Sequence, residues 1–290
     1  AGAVVSVSFP PDVSDSFATC GEDNTVRLWS AADYSVVAQT QVRGAGHPRV
    51  ISTSADLLVA GMENGELRGF DALDLEPLWS VKDAHPGGAT ALEVASNQRF
   101  LLSGGEMGAV RLWELRSREL ISDFREHSGR VTQVLLYDDQ AHALSCSRDR
   151  SFMCWDLRRE RRVSAHTQRM GGISGIALSN DQSLIGTVGQ EKRLSFWDLR
   201  EPQPVQVISP VHGDAEATCI AAAHGGDFFA TGGADASVKL WDIRAGKAIH
   251  TGIGHSSRIR RVLFSNDDKQ LISVGDDGCI LIWNIYAPEE

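Results

Sequence analysis

The sequence predicts an all-β molecule built from seven copies of one unit, and two observations carry this. An aromatic residue recurs at Trp29, Phe70, Trp113, Trp155, Trp197, Trp241 and Trp283, at intervals of 41 to 44 residues. In six of the seven copies it closes a run of alternating apolar residues: TVRLW, AVRLW, SFMCW, RLSFW, SVKLW and CILIW. Alternation with β-branched and aromatic side chains is the pattern of a half-buried strand.

Two more columns appear when the copies are aligned on the aromatic. Ten residues before it stand Thr19, Ala60, Ser103, Ser145, Thr187, Thr231 and Ser273; six before it stand Asp23, Asn64, Met107, Asp149, Glu191, Asp235 and Asp277. A small hydroxyl and a carboxylate thus recur in register. Between them lies a turn with the composition of a hairpin, CGEDN, AGMENG, SGGEMG, GGADA or VGDDG. The stretch Gly104 to Gly108 is glycine-rich like a phosphate loop. It joins two strands instead of opening a helix, so it lacks the free helical amides that bind phosphate.

The bulk properties narrow the function. With 42% hydrophobic and 23% charged residues the chain has the balance of an ordinary ordered protein. A net charge of −10 repels nucleic-acid phosphates and anionic membrane surfaces, so neither is expected as a partner. No apolar run approaches a membrane span, and the first residues lack a signal peptide's basic and apolar regions. Cys20, Cys146, Cys154, Cys219 and Cys279 are scattered and odd in number, and are expected to be small buried thiols of a reduced, cytoplasmic protein. The histidines show no metal-ligand spacing. No metal, cofactor or small-molecule substrate is expected.

These columns resemble the WD-repeat family over the whole chain. The Trp-Asp pair stands at Trp155-Asp156, Trp197-Asp198 and Trp241-Asp242, with Phe70-Asp71, Trp113-Glu114 and Trp283-Asn284 as looser forms. A Gly-His or similar element precedes the aromatic by about 28 residues, at His85, His127, His212 and Gly254-His255. The resemblance implies a seven-bladed β-propeller of four-stranded antiparallel blades, with residues 1–290 as one domain. Outer strands are expected around Tyr34 to Val42, Pro77 to Val81, Leu120 to Phe124, Arg162 to Ala165, Val205 to Ser209 and Ala248 to Thr251. Blade 7 is left without one, so the expectation is a terminal propeller of a chain that extends upstream.

The His, Ser and Asp sets have the residue types of a hydrolase triad. They are His127, Ser145 and Asp149; His212, Thr231 and Asp235; and His255, Ser273 and Asp277. Catalysis needs one constellation, and this one recurs once per blade. The resemblance implies instead a structural clamp in which each set joins its tryptophan, Trp155, Trp241 or Trp283, in a buried hydrogen-bond network. Copies 2, 3 and 5 break the pattern with Ala60 and Asn64, with Met107, and with Arg169 and Glu191. No catalytic residue is expected.

Charge is unevenly spread. Residues 111–169 hold twelve arginines against nine acids, near +3, which leaves near −13 for the rest. The resemblance implies that the turns between outer and inner strands and between the second and third strands share one face, where partners dock. On that face the expected contact residues are Arg130, Arg148, Arg150, Arg169, Lys192 and Arg258. Arginine forks suit carboxylates, so an acidic peptide or protein is the expected partner. A second cluster, Arg158, Arg159, Arg161 and Arg162, belongs to the opposite face or rim.

The last two copies, with GIGHS and the SVGDDG turn, are similar to the terminal repeats of microtubule-associated WD-repeat proteins of cilia, flagella and centrioles. That resemblance implies a non-catalytic scaffold of the axoneme or basal body, with tubulin or other axonemal or centriolar proteins as partners. An alternative comes from Trp-Asp-x-Arg at Arg158, Arg200 and Arg244, which resembles the WDxR motif of substrate receptors of cullin-RING ubiquitin ligases.

Overall fold

Strand pairing follows the repeat register. In the first copy β1 (Val4–Ser8), β2 (Ser16–Gly21), β3 (Thr25–Ser30) and β4 (Val36–Gln41) form one antiparallel sheet in sequence order. The structure, a computed structural model, describes residues 2–11, 15–137, 140–226 and 228–285. Within them the order recurs in seven sheets, six of four strands and a last one of three. The protein is therefore an all-β, seven-bladed propeller, and no helix of the described residues is long and apolar enough to cross a membrane.

The ring is built on the inner strands. These are β1, β5 (Pro48–Thr53), β9 (Ala89–Val94), β13 (Val131–Tyr137), β17 (Ile173–Leu178), β21 (Ala217–Ala222) and β25 (Ile259–Phe264). Each touches the next, and β25 touches β1. Side chains bridge the neighbours: the Oγ1 hydroxyls of Thr90, Thr132 and Thr218 donate to the carbonyls of Val131, Ile173 and Ile259 at 2.6, 2.9 and 2.6 Å. Those three contacts satisfy polar groups buried around the central channel. Ser8 with Thr53 and Gln133 with the amide of Ile176 add further polar links, and around them apolar clusters fill the faces between blades, because alternation turns every second side chain of each strand toward the neighbouring blade. Blade 1 seals against blade 7 through Val4, Val7, Phe17, Ile272 and Val274, all buried in one cluster.

The outer strands lie where the sequence places them, with shifted ends. They are β4, β8 (Pro77–Val81), β12 (Leu120–Phe124), β16 (Arg161–Thr167), β20 (Gln206–Ile208) and β24 (Lys247–Ile253). β4 starts at Val36 instead of Tyr34 because Tyr34 has φ +58° and belongs to the turn. In blade 7, β25 pairs with β26 (Gln270–Gly275) and β26 with β27 (Ile280–Asn284). No fourth strand joins this sheet among the described residues. One sequence expectation needs correction: four cysteines are buried, but Cys279 is exposed, since it lies just before β27 at the edge of that three-stranded sheet.

Candidate functional site

The hydroxyl and carboxylate columns meet in space. Every tryptophan of the repeat donates its indole N–H to the hydroxyl ten residues earlier. The distances are 2.8 Å from Trp29, Trp113, Trp155, Trp197 and Trp283 and 2.9 Å from Trp241. In blades 4, 6 and 7 a histidine completes the chain. His127, His212 and His255 face Ser145, Thr231 and Ser273 through Nε2 at 2.8, 2.9 and 2.8 Å. Their Nδ1 atoms meet Asp149, Asp235 and Asp277 at 2.9, 3.1 and 2.9 Å. A carboxylate only accepts, so Nδ1 carries the proton and Nε2 accepts from the hydroxyl.

Burial would raise the carboxyls of Asp149 and Asp235, but hydrogen bonds from the adjacent serine and histidine outweigh it and hold both below the usual range. Asp277 is held down in the same way by the amides of Ser256 and Cys279 and by His255. A nucleophile must reach its substrate, yet Ser145, Thr231 and Ser273 are 0% exposed. Each of these hydroxyls also receives the tryptophan N–H. The sets therefore brace blades and have no route to a substrate.

The broken copies differ in kind. Blade 2 replaces both partners at once, Phe70 lacking the donor and Ala60 the acceptor, which leaves no polar group stranded. Blade 3 keeps His85, 2.6 Å from Ser103, but Met107 offers no carboxylate, and Nδ1 of His85 is buried without a partner. In blade 5 Arg169 stays exposed, Glu191 pairs with Arg193 at 3.5 Å, and the His166 ring packs edge-on against Trp197.

The antiparallel order puts the turns before the inner strand and after the second strand on one face, and the other turns on the opposite face. The six predicted contact residues share that first face but divide into two groups. Arg130, Arg148 and Arg258 stand around the mouth of the central channel and are held by acids. Arg148 and Arg258 converge on Glu216 at 2.7 and 3.3 Å, and Arg130 reaches Glu106 at 3.6 Å. Arg150 and Arg169 lie further out and are exposed, and neither has an ion pair among the described residues. Among the described residues the Arg150 guanidinium donates only to the Arg169 carbonyl, at 3.5 Å. Met170 beside them is 68% exposed. Lys192 faces the fully exposed Asp214 at 3.8 Å. Arg158 and Arg159 are in the turn after the third strand, on the opposite face.

The channel mouth itself was not read from the sequence. It encloses about 300 Å³, and its lining includes Arg49, Arg260 and Arg261 beside the three mouth arginines. A signal was there to find. The position 23 residues before each aromatic carries Ser6, His47, Thr90, Thr132, Ser174, Thr218 and Arg260, and all seven line this cavity. Beyond it, on the wider side, a chamber of about 620 Å³ is lined by Glu93, Gln133, Leu136 and Leu263, among others. Arg261 lines both chambers. Burial pushes the Glu93 carboxyl up to about 7, against the opposing amide of Leu136 and the charge of Arg261.

The family model for the WD domain, G-beta repeat, matches residues 1–30, 118–156, 203–242 and 246–284, just over half of the chain. The chain belongs to the WD40-repeat family. Its relatives include the cilia- and flagella-associated protein 52 of Sus scrofa, 26% identical over 99% of this chain, and that of Homo sapiens, 26% identical over 97%. The Chlamydomonas reinhardtii protein of the same name is 28% identical over 98% of this chain. The chain spans 45 to 46% of the length of these three relatives. A WD40 propeller is a platform for protein contacts, and nothing in the relatives' names denotes an enzymatic activity.

Proposed function

We propose that this propeller is a non-catalytic docking scaffold of ciliary, flagellar or centriolar microtubules, which takes an acidic protein segment on the face that carries Arg150 and Arg169. The segment belongs to tubulin or to another axonemal or centriolar protein. The names of the relatives support the setting. The observation that carries the contact is Arg150 itself. It stands at φ +77° in the turn after the second strand, where blades 2, 3 and 7 use Gly65, Gly108 and Gly278 and blades 1, 5 and 6 use Asn24, Lys192 and Ala236. A non-glycine residue there costs roughly 1 to 2 kcal/mol. The Arg150 side chain is exposed, and among the described residues it has no ion pair and no hydrogen bond beyond the long contact to the Arg169 carbonyl to offset that cost. An unpaired guanidinium beside an exposed methionine is the composition of a partner-contact patch.

Co-sedimentation with microtubules tests the proposal. The protein should pellet with them, and the double variant Arg150→Glu, Arg169→Glu should bind at least about tenfold more weakly, since like charges now face the acidic partner. The control Arg158→Glu, Arg159→Glu on the opposite face should bind as the parent does. Equal pelleting of both variants would overturn the assignment of the face. The ligase-receptor reading predicts a different result, co-purification with a cullin-RING adaptor that is lost on Arg244→Ala. Of its three motif arginines, Arg200 is already folded onto Asp198, with Nε at 2.9 Å.

A further inference from the structure

Six guanidinium groups, those of Arg49, Arg130, Arg148, Arg258, Arg260 and Arg261, line the single cavity of about 300 Å³ at the channel mouth. Glu22 is the only carboxylate in that lining. The other acids that meet these arginines stand outside the lining: Asp276 pairs with Arg260, Glu63 lies 3.7 Å from Arg49, and two more are shared. Glu106 serves both Arg49, at 3.0 Å, and Arg130, at 3.6 Å, and Glu216 serves both Arg148 and Arg258. Each guanidinium has five N–H donors, so sharing leaves donors free toward the cavity. Arg261 has no ion pair among the described residues and its buried Nε lacks a partner, and Arg130 has a single, long one. Burial and the positive charges of Arg49, Arg148 and Arg260 lower the pKa of Arg130 against the single opposing charge of Glu106. The hydroxyls of Thr90, Thr132 and Thr218 are already committed to carbonyls, which leaves the arginines as the groups in need of an acceptor.

The geometry points to a binding site for a small polyphosphate anion, a molecule with several phosphate groups close together, held in the mouth of the central channel. Charge density decides the class. Converging arginine forks match phosphate oxygens bidentately, and a cleft walled by one sign of charge focuses its field on the counter-ion. The volume lies at the low end for small-ligand cavities, roughly 300 to 1,000 Å³, and suits a compact ion. The site is separate from the Arg150 and Arg169 patch and does not depend on the docking proposal.

Calorimetric titration of the 290-residue protein with inorganic tripolyphosphate tests this. The expected result is one site per chain, with affinity at least tenfold above that for sulfate at matched ionic strength and falling steeply as salt rises. Arg130→Gln should weaken tripolyphosphate binding at least tenfold. Its one ion pair is long and Glu106 keeps Arg49, so the fold should hold, as an unchanged unfolding midpoint would verify. Arg158→Gln, on the opposite face, should bind as the parent does. Absence of binding, a stoichiometry other than one, equal affinity for sulfate, or an unaltered Arg130→Gln variant would each overturn the inference. Parent-like microtubule binding by Arg130→Gln would show that the two sites act separately.

Discussion

His85 is fully buried, and its imidazole has only half of the partners found in the complete clamps. Burial, with help from the charge of Arg111, pushes its pKa down to about 4. Met107→Asp would supply the missing carboxylate beside Nδ1, because the same position in blade 6 carries Asp235 next to His212. The variant should gain about 1 to 2 kcal/mol, read as a higher urea midpoint, since it gives a stranded ring nitrogen a charge-assisted hydrogen bond. A second expectation concerns pH. The folded state keeps His85 neutral, whereas the unfolded chain protonates it near pH 6.5, so the unfolded state binds more protons between these values. This contribution is complete above about pH 6.5 and is lost as pH falls toward 4. The clamp aspartates behave differently, because their folded pKa values are depressed. Their contribution persists above the ordinary carboxylate pKa and is lost only below it. Glu93, held up at about 7, gains stability over the same window as pH falls, so the His85 share is read as the difference between the parent and Met107→Asp in urea midpoints measured from pH 8 to pH 3. The parent should lose more stability toward pH 4 than Met107→Asp, whose new carboxylate raises the pKa of His85.

At the scale of elements, two features depart from the repeat. In every blade the residue five before the aromatic has positive φ: Asn24, Gly65, Gly108, Arg150, Lys192, Ala236 and Gly278. Glycine adopts this conformation freely, so Arg150→Gly should relieve strain and raise the unfolding midpoint by up to about 1 kcal/mol in stability. The same change should weaken binding of an acidic partner, a stability gain opposed to a functional loss. The second feature is β27, which has a sheet neighbour on one side only among the described residues. It borders an apolar groove of about 470 Å³ lined by Leu240, Ile253 and Trp283, among others. Its outward backbone groups lack the ladder that protects the third strands of other blades. Amide exchange at alternate positions of Ile280 to Asn284 should therefore be faster than at equivalent positions of β3 by at least tenfold. Equal protection would mean that something covers this edge.

For the whole molecule, closure of the ring is the decisive event, and among the described residues blades 7 and 1 share no sheet, so side chains carry the join. Phe17 is 1% exposed in that seam, packed with Ile272 and Val274. Phe17→Ala should cost about 3 to 5 kcal/mol, as large-to-small changes in packed cores do, and urea denaturation would measure it. The seven aromatic positions and the two columns ahead of them announced the blades, because a buried strand must alternate and a hairpin must turn, and both leave local traces. Outer strands were legible to within two residues for the same reason. The charge layout was less so. Arg130, Arg148, Arg150, Arg169, Lys192 and Arg258 all read as one basic surface along the chain. Glu216, far from Arg148 in sequence, neutralises two of them, and only Arg150 and Arg169 stay unpaired among the described residues.

The sequence by itself determined the seven repeats, the strand order within each blade and the identity of the complete clamps at Trp155, Trp241 and Trp283. These are properties of neighbours within about thirty residues, and periodicity records them. The tertiary structure alone decided which charges meet, that six arginines from blades 2, 4 and 7 converge on one mouth, and that Arg261 lines both chambers of the channel. Those contacts join inner strands of blades that lie far apart in the chain. They arise only when the ring closes and brings side chains from all round it to a single axis.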